Sequence, residues 1–156
     1  MEQIKQISNA LVINPEFLTA VDVSLLECEQ FESIKHRVIP TFCYDNAFLT
    51  ATNLCYDKIV YGVALVKFGD SIIPVEHAWI KDNGQHFDPT YQVLNEKNGS
   101  VMETEYYSLI EFSIDEYLEL SESMRGEELA RLCALDFYSL RTNQSFKKYF
   151  NHKRGS

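Results

Sequence analysis

The sequence predicts an α+β fold, in which a helix with a cysteine near its start packs on a small antiparallel sheet and further helices lie at the N- and C-terminal sides. Three observations predict it. Apolar residues at helical spacing follow Pro40-Thr41, and a β-branched and aromatic run begins at Lys58 and is punctuated by Asn83-Gly84. Ser113, with Glu116 three residues on, then opens a helical C-terminal part. The chain has 156 residues, 46% of them hydrophobic, which suits one domain with a sizeable core. A single domain over 1–156 is expected, with its core at about 41–91 and its helical part at about 113–150.

Taken in order, Asn14 is a cap and Pro15 a first helical residue, and Phe17, Leu18, Val21, Leu25 and Cys28 follow at roughly helical spacing, predicting a helix over about 15–30. A second start at Pro40-Thr41 leads to Cys43, Ala47, Ala51, Leu54 and Cys55, one stripe of a helix with Cys43 in its first turn. Strands are predicted over 59–68, about 72–81 and about 85–91. The first pair is broken at Gly69-Asp70-Ser71 and the second is joined through Asn83-Gly84, whose type I′ turn needs positive φ at both positions. A polar stretch over 95–100 precedes a possible strand within 101–112. The Ser113 box opens a helix to about 124, a helix over 127–140 carries Leu129, Leu132, Cys133 and Phe137, and a last turn falls at 146–150.

A net charge of -9 predicts a surface that repels phosphate backbones and anionic lipid, and beyond Lys147-Lys148 and Lys153-Arg154 no basic cluster opposes it. Nucleic acid is not an expected partner. No stretch approaches the roughly 18 apolar residues of a membrane span, and the N-terminus lacks a leader pattern, so a cytoplasmic protein without membrane attachment is expected. Cys28, Cys43, Cys55 and Cys133 are widely spaced with no C-x-x-C pair, which argues for free thiols and against a disulfide framework or structural zinc. Three of the four are expected to be small buried apolar residues. No cofactor is expected, and the oligomeric state is not legible.

The hairpin carries the chemistry. A two-residue loop at Asn83-Gly84 sets Trp79 opposite Asp88 and His77 opposite Thr90, so His77 and Asp88 become diagonal neighbours on one face, about 7 Å apart at Cβ. Cys43 at a helix N-terminus feels the positive end of the helix dipole, which favours thiolate. A thiol, a base and a group that orients the base are what nucleophilic attack on a carbonyl needs. Each residue alone has an ordinary explanation: a buried cysteine, a core histidine, a turn aspartate before proline. Their conjunction is what points to catalysis. His86 shares the His77 face and could serve as a substitute base, but it sits beside the turn, which predicts a surface role, and His36 and His152 have no evident partner.

Cys43 at the head of a helix containing Ala47, a strand with Tyr61-Gly62-Val63, then His77-Ala78-Trp79-Ile80 and Asp88-Pro89-Thr90, resembles the transglutaminase-like branch of the papain-like thiol enzymes. The resemblance covers residues 41–91. It implies a papain-like fold, with Cys43 as nucleophile, His77 as general base and then acid, and Asp88 as orienter. It also implies a thioester formed from an amide or ester of a peptide or protein substrate and resolved by water or an amine, as in a protease, deamidase or transglutaminase-like acyltransferase. The family's oxyanion glutamine is absent; Arg37 sits near its place, and a backbone N–H is the remaining donor. A competing expectation is an inactive member of the fold that binds a protein partner through an acidic, tyrosine-rich surface. A third is a purely structural α+β domain.

Overall fold

A computed structural model describes residues 2–126 and 134–151. The fold is mixed α+β, built on one six-stranded sheet. Helix α1 (Glu2–Leu11) and a 3-10 turn (Pro15–Phe17) lead into two short strands, β1 (Thr19–Val21) and β2 (Val23–Ser24). Helix α2 (Cys28–Ile34), a second 3-10 turn (Lys35–Arg37) and helix α3 (Cys43–Leu54) follow. Next come β3 (Lys58–Phe68), β4 (Ser71–Asp82), β5 (Gln85–Phe87), α4 (Pro89–Asn98), β6 (Thr104–Ser113) and α5 (Ile114–Arg125). Helix α6 (Phe137–Arg141) and a 3-10 helix (Gln144–Tyr149) complete the described chain.

The sheet order is β1-β6-β3-β4-β5-β2, antiparallel except where β2 runs parallel to β5. Its centre is the β3–β4 hairpin, paired continuously from Lys58↔Lys81 to Phe68↔Ser71. Residues 59–66 of β3 are all buried, as expected of a β-branched and aromatic strand flanked by partners on both edges. Helix α3 buries Asn46, Ala47, Thr50 and Ala51, a stripe at i, i+1, i+4 and i+5 whose two alanines allow close approach to the core. The capping box at α5 forms as predicted: Glu116 N–H bonds the Ser113 hydroxyl at 3.1 Å, and Ser113 N–H bonds the Glu116 carboxylate at 3.0 Å.

Several elements differ from expectation. The helix over 15–30 is absent. Asn14 does cap, its side chain accepting from Glu16 N–H, but the turn stops at Phe17, and Thr19–Val21 pairs with β6 instead. The alternation of β-branched Thr19, Val21 and Val23 suits an edge strand, and the open edge of β6 satisfies its backbone. Helix α1 was not anticipated, although Ile4, Ile7 and Leu11 lie at helical spacing and Ile7 is fully buried. The polar stretch over 95–100 is the end of α4, closed by Gly99 at φ 66. Of the helix over 127–140, residues 127–133 lie outside the described residues, and 134–136 are not helical because the Asp136 carboxylate caps a fresh start at Phe137. Cys28 and Cys55 are exposed, not buried: Cys28 opens α2, and Cys55 is the left-handed C-cap of α3 at φ 57. Cys133 and His152 lie outside the described residues. No helix among the described residues is long and apolar enough to cross a membrane.

The segment after residue 133 is latched across the head of α3. Ala134 N–H bonds the Asp45 carboxylate at 3.3 Å, Leu135 N–H bonds the Tyr117 hydroxyl at 2.8 Å, and the Tyr61 hydroxyl donates to the Leu135 carbonyl. Arg141 Nη1 donates to both carboxylate oxygens of Glu76, at 3.0 and 2.9 Å, and Nη2 donates to the Leu11 carbonyl at 2.8 Å, tying α6 to both β4 and α1.

Candidate active site

Cys43 occupies the first turn of α3, partly exposed, behind an N-cap (Phe42) that offers no side-chain hydrogen bond. The first N–H groups of a helix have no intrahelical acceptor, so this end presents donors and the positive pole of the dipole beside the sulfur. Two contacts fix the turn. The Tyr44 ring stacks on Tyr61 of β3 with centroids 5.4 Å apart. The buried Asn46 side chain accepts from Ile39 N–H at 3.1 Å and donates to the Ile39 carbonyl at 2.7 Å and the Thr90 hydroxyl at 3.0 Å. Asn46 therefore holds the segment before Cys43 to α3 and ties α3 to the first turn of α4.

His77 lies in β4 opposite Gly62, and 2% of the residue is exposed. The hairpin register is the predicted one: Asn83 and Gly84 have φ 50 and 80, and Ile80↔Phe87, Lys81↔His86 and Asp82↔Gln85 pair. The third strand, however, ends at Phe87 and not at Tyr91, so Thr90 does not pair with His77. Asp88-Pro89 is a helix start: Asp88 caps α4, its Oδ1 accepting from Tyr91 N–H at 3.2 Å, with Pro89 in the first turn. The cap leaves Oδ2 turned to the imidazole, and His77 Nε2 stands 2.8 Å from it. Cys43 lies close enough to act on the imidazole as well, its charge and hydrogen bonding both favouring the protonated ring. The three residues singled out in the sequence are thus brought together.

Burial is the largest single influence on His77 and pulls its pKa down; the charge and hydrogen bond of Asp88, then those of Cys43, outweigh it and raise the pKa from 6.5 to about 10. Desolvation alone would leave a neutral ring. Here the low-dielectric surroundings strengthen the attraction to the carboxylate, and the imidazolium is favoured. Its stabilising contribution is complete below pH about 6.5, where both folded and unfolded chains are protonated, and is lost as pH rises through about 10. The melting-temperature difference between the wild type and His77→Gln is accordingly expected to be constant in acid and to shrink from pH 6.5 towards 10. A difference that stays flat or grows over that window would contradict the raised pKa.

Several site residues carried no sequence signal strong enough to select them. Tyr106 of β6 donates its hydroxyl to Asp88 Oδ2 at 2.6 Å, and its ring meets Trp79 edge-on at 5.2 Å. Tyr91 stacks on the His77 ring at 4.2 Å, the face-on partner that fixes the ring plane. Burial and then the Asp88 charge push the ionisation of both tyrosines well up, so both stay neutral. Asn46 could have been found as one helical turn after Cys43 on the buried stripe. His86, expected at the surface, is 6% exposed, and its Nδ1 accepts from Trp79 Nε1–H at 2.9 Å. Burial and then the Lys81 charge lower its pKa, which keeps that nitrogen an acceptor. His86 therefore braces Trp79 and is not a substitute base. His36 and Arg37 are exposed in the 3-10 turn before α3. Set beside known proteins, the chain matches no family model, no curated protein and no solved structure.

Proposed function

We propose that this protein is a papain-like thiol hydrolase or acyltransferase acting on an amide or ester carbonyl of a peptide or protein. The observation that carries the proposal is a buried imidazole with Asp88 Oδ2 2.8 Å from its Nε2, under the influence of Cys43 in the first turn of α3. In this reaction His77, as the imidazolium its surroundings favour, holds the proton given up by Cys43, and the thiolate beside it adds to the carbonyl carbon. The oxyanion is met by N–H groups at the head of α3, a backbone donor set that needs no glutamine. Collapse breaks the bond to the leaving amine or alkoxide, which takes the proton back from His77, and a thioester remains on Cys43. Water or an amine, deprotonated by His77, then adds to the thioester and releases the thiol. Phe42 and Ile39, 51% and 52% exposed just before the nucleophile, offer apolar surface for a polypeptide side chain beside the thiol.

Two measurements test this reading. Iodoacetamide at neutral pH, followed by peptide mass mapping, is expected to modify Cys43 roughly tenfold or more faster than Cys28 and Cys55, although these two are more exposed. His77→Ala is expected to erase the advantage. Incubation with p-nitrophenyl acetate is expected to leave an acetyl group on Cys43 that hydroxylamine removes. Equal labelling of the three mapped cysteines, with no acyl adduct on Cys43, would refute the proposal.

A further inference from the structure

The orienting carboxylate is itself held, and what holds it lies outside the three-residue constellation. Asp88 is 3% exposed, and three donors converge on it: Tyr91 N–H on Oδ1, and His77 Nε2 with the Tyr106 hydroxyl on Oδ2. The shortest of these bonds, 2.6 Å, is the one from Tyr106. Tyr106 comes from β6, whose register is anchored on both sides, by Ala64 of β3 and Val21 of β1, and its ring abuts Trp79, which β4 carries two residues after His77. The hydroxyl is therefore set by the sheet and not by the helix that Asp88 caps. Asp88, Tyr91 and Tyr106 together line a cavity of about 500 Å³ with apolar residues such as Leu65 and Met102; neither Cys43 nor His77 lines this space.

We infer that Tyr106 is a positioning residue for the reaction proposed above: by donating to the same Asp88 oxygen that faces His77, it fixes the carboxylate rotamer and tempers its charge. An oxygen shared between two donors gives less to each, so Tyr106 sets how strongly Asp88 holds the imidazolium. The inference rests on the proposed function only for its effect on Cys43; the effect on His77 can be read without any reaction.

The test is Tyr106→Phe, which removes the hydroxyl and keeps the ring against Trp79. Nitrogen-labelled histidine, followed by magnetic resonance across pH, is expected to show His77 holding its proton to higher pH than in the wild type. Alkylation of Cys43 by iodoacetamide is expected to slow roughly tenfold, the scale of one hydrogen bond to a charged group. Because loss of the hydroxyl can also loosen the fold, the second arm replaces the tyrosines with fluorinated tyrosine. The more acidic hydroxyl is a stronger donor to Asp88 and is expected to move His77 the opposite way, to lower pH. Opposite shifts in the two arms support the inference. A His77 titration that is unmoved in both, or moved the same way in both, overturns it, because a role limited to packing predicts no such sign. If Cys43 proves unreactive while the two opposite shifts appear, it is the proposed function that fails and the positioning of His77 that stands.

Discussion

Asp88→Ala is expected to lower acyl transfer by about a thousandfold or more, the scale on which a triad loses activity when the carboxylate behind its base is removed. The structure gives two reasons. Without Oδ2 the imidazole loses the partner 2.8 Å from Nε2 that fixes its orientation, and the buried ring loses the charge that offsets its desolvation. The ring is then both misplaced and neutral, and no longer supplies the imidazolium that keeps Cys43 a thiolate. Stability falls as well, by about 3–5 kcal/mol, the cost of breaking a buried pair by removing one partner. His77 and the Tyr106 hydroxyl lose their acceptor, and the Tyr91 N–H at the head of α4 loses its cap. Asp88→Asn separates the two losses: its amide oxygen still caps α4 while the charge is gone, so it is expected to recover most of the stability and little of the rate. Urea unfolding and the rate of acetyl transfer from p-nitrophenyl acetate measure each. An Asp88→Ala protein within about threefold of wild-type activity, far short of the loss expected for a triad carboxylate, would show that His77 needs no orienter.

What the sequence revealed and what it concealed follow from the range of the interactions. The Asn83-Gly84 turn fixes a register through local backbone geometry, so the pairing of Ile80 with Phe87 was legible, as were β3, β4 and the start of α3 at Cys43. The meeting of His77 and Asp88 was predicted for a partly mistaken reason. The register brings them near, but a helix cap, not a continuing strand, aims the carboxylate. Asp-Pro is both a turn signal and a helix start, and the α-helix that follows won because Tyr91 N–H needed an acceptor. Tyr106 and the Asn46–Thr90 bond were concealed because the partners lie 18 and 44 residues away, on elements whose juxtaposition only the folded sheet defines. Among 9 tyrosines nothing local marks the one that reaches the carboxylate. The edge strand β1 was misread as helix because apolar spacing over 17–28 fits a helical stripe, while its actual role depends on β6, some 85 residues downstream.

Gly62→Ala is expected to be the most damaging glycine-to-alanine change among the described residues. Glycine here is not a turn residue. It sits in the middle of β3 opposite His77, where the pairing with β6 slips from Tyr61↔Ile110 to Gly62↔Ser108, leaving Leu109 as the extra residue of a bulge. A Cβ at position 62 would collide with the Tyr107 carbonyl oxygen, stand 2.6 Å from Cη2 of Trp79 and 3.0 Å from the Ser108 Cα. Two of these neighbours are backbone of the adjoining strand and cannot yield without opening the ladder. The third is the fully buried indole that bonds His86 and flanks both His77 and Tyr106. Overpacking a core typically costs about 1–3 kcal/mol, and a clash with backbone on one side and a braced tryptophan on the other places this substitution at the top of that range or above it. The comparison that isolates the clash is Gly69→Ala. There the added Cβ meets nothing within 4 Å, and the only penalty is a φ of +58, about 1 kcal/mol. Urea unfolding is expected to rank Gly62→Ala well below Gly69→Ala. Because relief of the clash must displace Trp79, alkylation of Cys43 is expected to slow in the first variant under conditions where it remains folded, and to be unchanged in the second. Equal destabilisation by the two substitutions would mean that Gly62 serves the strand's backbone alone and that the packing of Trp79 against it does not help to place His77.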